Sequence, residues 1–269
     1  MLQQLELYNF KAFERFSISF RGNAFLVGPN SAGKSTIISA LRLCGRVLQH
    51  AYSKAATEMR NDRDIRVWAH SFGLEQFDFT SENLRHDFHE IETRIELRFK
   101  DAGTLRIVWP KVRVEGQRIE PFYYIETTEG LHLRRPKDVI ERFPRIGIIP
   151  LLSPIERDET VLDVKYVRQN LDGRLASRHF RNQLHALTTE EISPGRSRYG
   201  EFTTFAAPWL PELSLGELVT RMGEKELELD LFYKEVGSRP EREIFWAGDG
   251  IQVGFNSCCI YFDFRTFAP

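Results

Sequence analysis

Nine residues constrain this chain more than any others: Gly28-Pro29-Asn30-Ser31-Ala32-Gly33-Lys34-Ser35-Thr36. They fit G-x-x-x-x-G-K-[ST], the spacing of a phosphate-binding loop. The flanks agree with it. Ala24-Phe25-Leu26-Val27 is a short apolar run of the kind that forms a buried strand, and Thr36 to Leu43 carries apolar residues at helical spacing. Strand, glycine loop and helix together aim backbone N–H groups and a helix N-terminus at an anion. Gly28 and Gly33 let the backbone approach phosphate without a side chain in the way. In this pattern Lys34 reaches the β and γ phosphates, and the Ser35 hydroxyl takes a Mg²⁺ position.

A chain of 269 residues is long enough for one large domain or two lobes. Lys plus Arg number 37 and Asp plus Glu 38, so no global field favours nucleic acid or an anionic membrane; only a local basic patch could serve such a partner. Cys44, Cys258 and Cys259 supply neither a disulfide framework nor a spaced metal-ligand set, which fits a reducing compartment. No apolar stretch reaches the length of a membrane span, and the N-terminus lacks the basic-then-apolar order of a secretory signal. A cytoplasmic location without membrane contact is expected.

Periodicity divides the chain further. Leu2 to Phe20 reads as two strands, and a helix runs from the loop to about Gln49. Ala51 to Asp64 is polar and reads as a loop or loose helix. From Glu90 the period becomes two, predicting strands around Ile91 to Phe99, Leu105 to Trp109, Arg113 to Arg118, Phe122 to Thr127 and Leu131 to Leu133, an antiparallel sheet rather than a second βαβ unit. Ile146 to Leu152 reads as a buried strand. Asp158 to Leu187 reads as mostly helical with a break near Asp172-Gly173, Ser193 to Pro211 as loop, and Leu213 to Met222 as a short helix. Leu227 to Tyr233 and Glu243 to Trp246 alternate as strands.

Leu5-Glu6-Leu7-Tyr8-Asn9-Phe10-Lys11-Ala12-Phe13, followed by Leu26 to Thr36, resembles the opening of the SMC, RecF and OLD-like ATPases. Arg178-His179-Phe180-Arg181-Asn182-Gln183 and Trp246-Ala247-Gly248-Asp249-Gly250-Ile251-Gln252 resemble segments of bacterial AAA family ATPases of that ABC-like group. The resemblance runs over roughly residues 1 to 253. It implies an α/β P-loop NTPase with an ABC-ATPase-like head: a mixed central sheet, an antiparallel β subdomain at 90–135, a helical segment at 158–188 and a signature-like segment at 246–252. It implies ATP and Mg²⁺ as cofactors, and heads that form a homodimer with nucleotide between them. It also implies DNA as a partner, in repair, chromosome handling or phage defence; that step is analogy. Gly248, Asp249, Gly250 and Gln252 stand where an ABC signature faces the partner's γ-phosphate, with Ala247 in place of a serine. An ordinary turn before a helix is the plainer alternative.

Such a head also needs an apolar strand ending in Asp-Glu, which holds Mg²⁺ and polarises the attacking water. Residues 254–269 contain no acidic pair and read as lacking a helical stripe. Back-translated and read one base earlier, Gly254 to Tyr261 allows Trp-Leu-Gln-Leu-Leu-Leu-His-Ile, an amphipathic helix. The expectation is therefore a frame shift near codon 253, an incomplete C-terminus, and ATP binding without efficient hydrolysis; no catalytic residue is assigned. The alternative product is a non-hydrolysing nucleotide-binding fragment. Gln169 and Gln183 both remain candidates for a Q-loop glutamine, each also readable as a solvated helix position. Arg168, Arg174, Arg178, His179 and Arg181 form a local basic cluster, open to phosphate or DNA or to surface ion pairs. His86 and His89 beside Asp87 and Glu90 read as an exposed polar stretch rather than a metal site. A GTPase or nucleoside kinase fits poorly, because no N-K-x-D segment is present.

Overall fold

The computed structural model describes residues 1–73, 84–89, 91–111, 120–147, 152, 155–169, 176–193, 196–237 and 240–266. The chain forms two compact units, 1–146 and 147–269.

The first unit is built on a seven-stranded sheet. Its strands are β1 (Leu2–Phe10), β2 (Phe13–Ser19), β3 (Glu58–Asp62), β4 (Ile65–Ser71), β5 (Thr93–Phe99), β6 (Gly103–Trp109) and β7 (Phe122–Thr127), in the order β2-β1-β5-β6-β7-β4-β3. Every described pairing is antiparallel. The strands read at 90–135 thus join the N-terminal strands in one sheet, and the α/β class with a large antiparallel sheet is as expected.

Alternation explains why one face of this sheet is a core. Leu5 and Leu7 on β1, Ile95 and Leu97 on β5, and Leu105 and Ile107 on β6 point the same way. Against them packs α1 (Lys34–Ala51), whose buried residues Ile37, Ala40, Leu43, Cys44, Val47, Leu48 and Ala51 recur at helical spacing. A short helix, α2 (Pro136–Arg142), begins with proline in its first turn and buries Val139.

Two readings change in this unit. Ala24–Val27 forms no strand: Phe25 is 89% exposed and Val27 92%. An apolar run becomes a buried strand only where neighbours supply hydrogen bonds and cover, and no described strand flanks this one. The polar stretch before Asp64 is not a loop but the edge strand β3. Polar pairs hold it: Arg60 donates to Glu58, Ser71 and Glu120, and Asp62 lies buried against Arg94 and Tyr124. Apolar periodicity carries no trace of such a strand. Leu131–Leu133 contributes one bridge, Glu126 to His132, rather than a strand. The strand expected at 113–118 and most of that at 146–152 lie outside the described residues.

The second unit holds α3 (Val164–Gln169), a 3-10 turn at Ala176–His179, α4 (Phe180–Thr188), the small pair β8 (Glu191–Ser193) and β9 (Arg196–Ser197), and α5 (Arg198–Ala206). It continues with a sheet of β10 (Leu213–Met222), β11 (Leu227–Glu235) and β12 (Arg242–Glu243), a 3-10 turn at Ile244–Trp246, and α6 (Asp249–Thr266). The break foreseen near Asp172-Gly173 lies outside the described residues.

Leu213–Met222 is a strand, not a helix. Leu213, Leu215 and Leu218 all face the core, but a bulge between Leu215 and Leu218 breaks the two-residue period. Pairing with the regularly alternating β11 decides the outcome. Ser193–Pro211 contains α5, which Ser197 caps by accepting from the Gly200 amide. Glu243–Trp246 keeps only two strand residues before it turns. Residues 254–266 are helical. Gln252, Phe255, Asn256, Cys259, Ile260 and Phe262 form a buried stripe, which was illegible because two of its members are amides. Residues 254–266 thus continue the helix that begins at Asp249.

Candidate functional site

The candidate phosphate loop occupies residues 28–36, between the stretch at 24–27, where only Leu26 packs partly against the core, and α1. Gly33 is the residue before the helix, with φ 81° and ψ 6°. That is left-handed space, which a β-carbon enters at a cost of about 1–2 kcal/mol. Position is as restrictive as conformation. A β-carbon on Gly33 would lie 2.2 Å from Cζ of Phe13 and 2.9 Å from each Cε. Phe13 opens β2 and stacks on Phe16, ring centroids 4.3 Å apart. The turn between β1 and β2 therefore lies directly against the phosphate loop. Ser31, a non-glycine at φ 75°, is also left-handed, and such strain gathers at ligand sites.

The loop presents donors and no opposing charge. No side chain caps the N-terminus of α1, and its first turn holds no acidic residue. The first amides of a helix have no intrahelical carbonyl to bond. Eighteen residues of aligned dipoles place a partial positive charge there. Lys34 Nζ folds back to donate to the carbonyl oxygens of Gly28, at 2.7 Å, and Pro29, at 2.6 Å. The ammonium thus sits inside the curve of its own loop. Gly28, Pro29, Asn30, Ser31, Ala32 and Ser35 are exposed, whereas Thr36 is buried under the first turn. An ammonium, a free hydroxyl at Ser35 and uncapped amides fit the phosphates of a nucleotide and one Mg²⁺ beside them.

The signature-like segment lies in the second unit. Gly248 and Gly250 face open space, Asp249 begins α6, and Trp246 is 71% exposed. Gln252 turns inward instead. It is 5% exposed, its Oε1 accepts from Ile155 N at 3.0 Å, and its Nε2 donates to Phe245 O and Ala247 O, both at 2.9 Å. Sequence reasoning listed this side chain with the outward group; the structure separates it from Gly248, Asp249 and Gly250.

The described arginines of the basic cluster are engaged in ion pairs. Arg181 is fully buried, its guanidinium donating to Glu243 Oε1 and to Glu156 O. Arg178 pairs with Glu156 and Arg168 with Glu190; Arg174 lies outside the described residues. Among the Q-loop candidates, Gln183 is buried in α4 and not solvated, and the side chain of Gln169 lies outside the described residues. His86 bonds the Lys11 carbonyl and pairs with Asp87, and no group of three metal-ligating side chains occurs among the described residues. Among the described residues, no helix is long and apolar enough to cross a membrane.

Residues 1–168 match the model of the AAA ATPase domain. The chain is 25% identical over 193 residues to the chromosome partition protein Smc of Methanocaldococcus jannaschii, covering 62% of this chain and 14% of that protein. Among solved structures, an Smc head bound to the C-terminal winged-helix domain of ScpA aligns with a TM-score of 0.43 and 14% identity, covering 99% of this chain and 77% of that one. The recombination mediator RecF aligns with a TM-score of 0.44 and 11% identity, covering 99% and 81%. The family match spans well over half of the sequence, so the chain belongs to the AAA ATPase domain family.

Proposed function

We propose that this chain is an ATP-binding head of the SMC, RecF and OLD-like kind. Gly28 to Thr36 hold the phosphates, Lys34 leaves its two carbonyl contacts to neutralise them, and Ser35 holds Mg²⁺. Bound Mg²⁺ would supply charge neutralisation between the outer phosphates. The single observation that carries this reading is the uncapped, acid-free N-terminus of α1 with the Lys34 ammonium folded into its loop.

Head-to-head pairing is part of the proposal: Gly248, Asp249 and Gly250 of one copy face the nucleotide of another. Residues 1–253 act together as that head. The likeness to a chromosome partition protein supports a DNA-linked setting such as chromosome handling, repair or phage defence, in the cytoplasm. Arg181, being buried, takes no part in holding DNA.

The test is titration of the chain with a fluorescent ATP analogue in Mg²⁺. Lys34→Ala removes a charge-assisted contact of about 1.5–3 kcal/mol, so binding should weaken by about tenfold or more. Equal affinity in the two proteins would sink the reading.

A further inference from the structure

The side chains around the start of α6 form a closed ring of hydrogen bonds. Gln252 Oε1 accepts from Ile155 N. The next residue, Glu156, offers its carbonyl oxygen to Arg181 Nη1 at 2.8 Å. Arg181 Nη2 and Nε donate to Glu243 Oε1 at 2.7 and 3.0 Å. Glu243 Oε2 accepts from Phe245 N at 2.7 Å. Phe245 O then accepts from Gln252 Nε2, which closes the ring. Arg181 itself is fixed from behind. Glu159, 4% exposed, accepts from the amides of Arg181 and Asn182 at the start of α4.

This ring encloses the backbone from Phe245 to Ala247, the residues that lead into Gly248, Asp249 and Gly250. Those three are exposed, and the two glycines lack any side chain that could hold them. The first helical bonds, from Ile251 N and Gln252 N to Gly248 O at 2.9 and 3.2 Å, close the turn, yet glycine loses the most conformational freedom when ordered. The ring behind adds to that order. Gln252 is saturated by three backbone partners and points away from solvent.

We propose that Arg181, Glu243 and Gln252 are positioning residues that hold the Ala247–Gly250 turn in the form a second copy's nucleotide meets, and that Gln252 itself touches no nucleotide. The inference rests on the head-to-head pairing proposed above. It assigns recognition to the backbone amides of that turn, and the frame beneath to the buried Arg181 and Gln252 with the partly buried Glu243.

Two variants of the full chain test it. Gln252→Glu keeps the acceptor for Ile155 but turns the donor to Phe245 O and Ala247 O into another acceptor. Arg181→Lys keeps the charge but cannot fork between Glu156 O and Glu243. Amide hydrogen exchange in the nucleotide-free chain should accelerate at least tenfold across residues 245–251 in both variants, with β5 to β7 unchanged. Sedimentation with ATP and Mg²⁺ should show pairing weakened at least tenfold in both. Unaltered exchange at 245–251 overturns the positioning role. Faster exchange with pairing intact overturns the link between this turn and the second copy. Where the parent chain itself does not pair with ATP, the pairing reading fails and takes that link with it, while the exchange arm still decides whether the ring holds the turn. If Arg181→Lys does not fold, Gln252→Glu decides alone.

Discussion

Substituting alanine at Gly33 tests the geometry of the phosphate loop. Two costs add. Left-handed backbone at φ 81° costs alanine about 1–2 kcal/mol. The new β-carbon, 2.2 Å from Phe13 Cζ, must also push that ring off Phe16, forfeiting an aromatic contact of about 0.5–1.5 kcal/mol. Gly33→Ala should therefore destabilise the first unit by about 2–3 kcal/mol. In a Phe13→Ala background only the backbone cost remains, so the two substitutions should be non-additive by about 1 kcal/mol. Urea unfolding read through Trp68 and Trp109, with Trp209 and Trp246 replaced by phenylalanine, isolates the first unit. ATP-analogue binding measured alongside should weaken in Gly33→Ala and recover in part in the double variant. A cost for Gly33→Ala below about 0.5 kcal/mol, or strict additivity, would refute the reasoning.

Other outcomes follow from the same physics. Burial alone would raise the Asp62 carboxyl, but hydrogen bonds from Arg94 and Tyr124 hold it below the ordinary range. Asp62→Ala strands a guanidinium whose side chain is 2% exposed, and should cost about 3 kcal/mol in urea unfolding, the low end for a broken buried pair because Glu92 still lies 3.0 Å from it. Burial, and then the neighbouring His50, push the His70 imidazole down to about 4. His70 is thus neutral in the folded chain and its contribution is complete above its unfolded value near 6.5. About 2–3 kcal/mol should be lost as pH falls from there to about 4, and His70→Phe should flatten that part of the stability profile. Gly103→Ala, whose β-carbon would meet Glu126 O at 2.0 Å, should break the close pairing of β6 with β7, seen as faster amide exchange in both strands.

The parts legible in the sequence are those written in local patterns. The phosphate loop, α1, and the strands β1, β2, β5, β6, β7 and β11 carry their own periodicity, and the family match covers most of them. What stayed hidden depends on partners distant along the chain. β3 is an edge strand held by ion pairs, and α6 buries Gln252 and Asn256, residues that read as polar and outward. The stretch at 24–27 failed in the opposite sense: apolar composition promised a buried strand, but no described strand pairs with it and only Leu26 packs partly on the core. At the candidate site, spacing alone singled out Lys34 and Ser35. It could not reveal that Phe13 sets the room available at Gly33, nor that Gln252 points inward. Contacts across twenty or a hundred residues leave no period to read.

α1 is gripped at both ends. At its start Phe13 presses on Gly33; in its last turn His50 Nδ1 meets the Tyr123 hydroxyl at 2.6 Å, and Tyr123 lies flat against His70. Between them the helix spans about 27 Å at 1.5 Å per residue, with one whole side welded to the sheet. Were nucleotide binding at Gly33 to shift the helix along its axis, the ring of Tyr123 on β7 would be the contact displaced at the far end. A fluorine label on that ring should report nucleotide arrival at the opposite end of the helix.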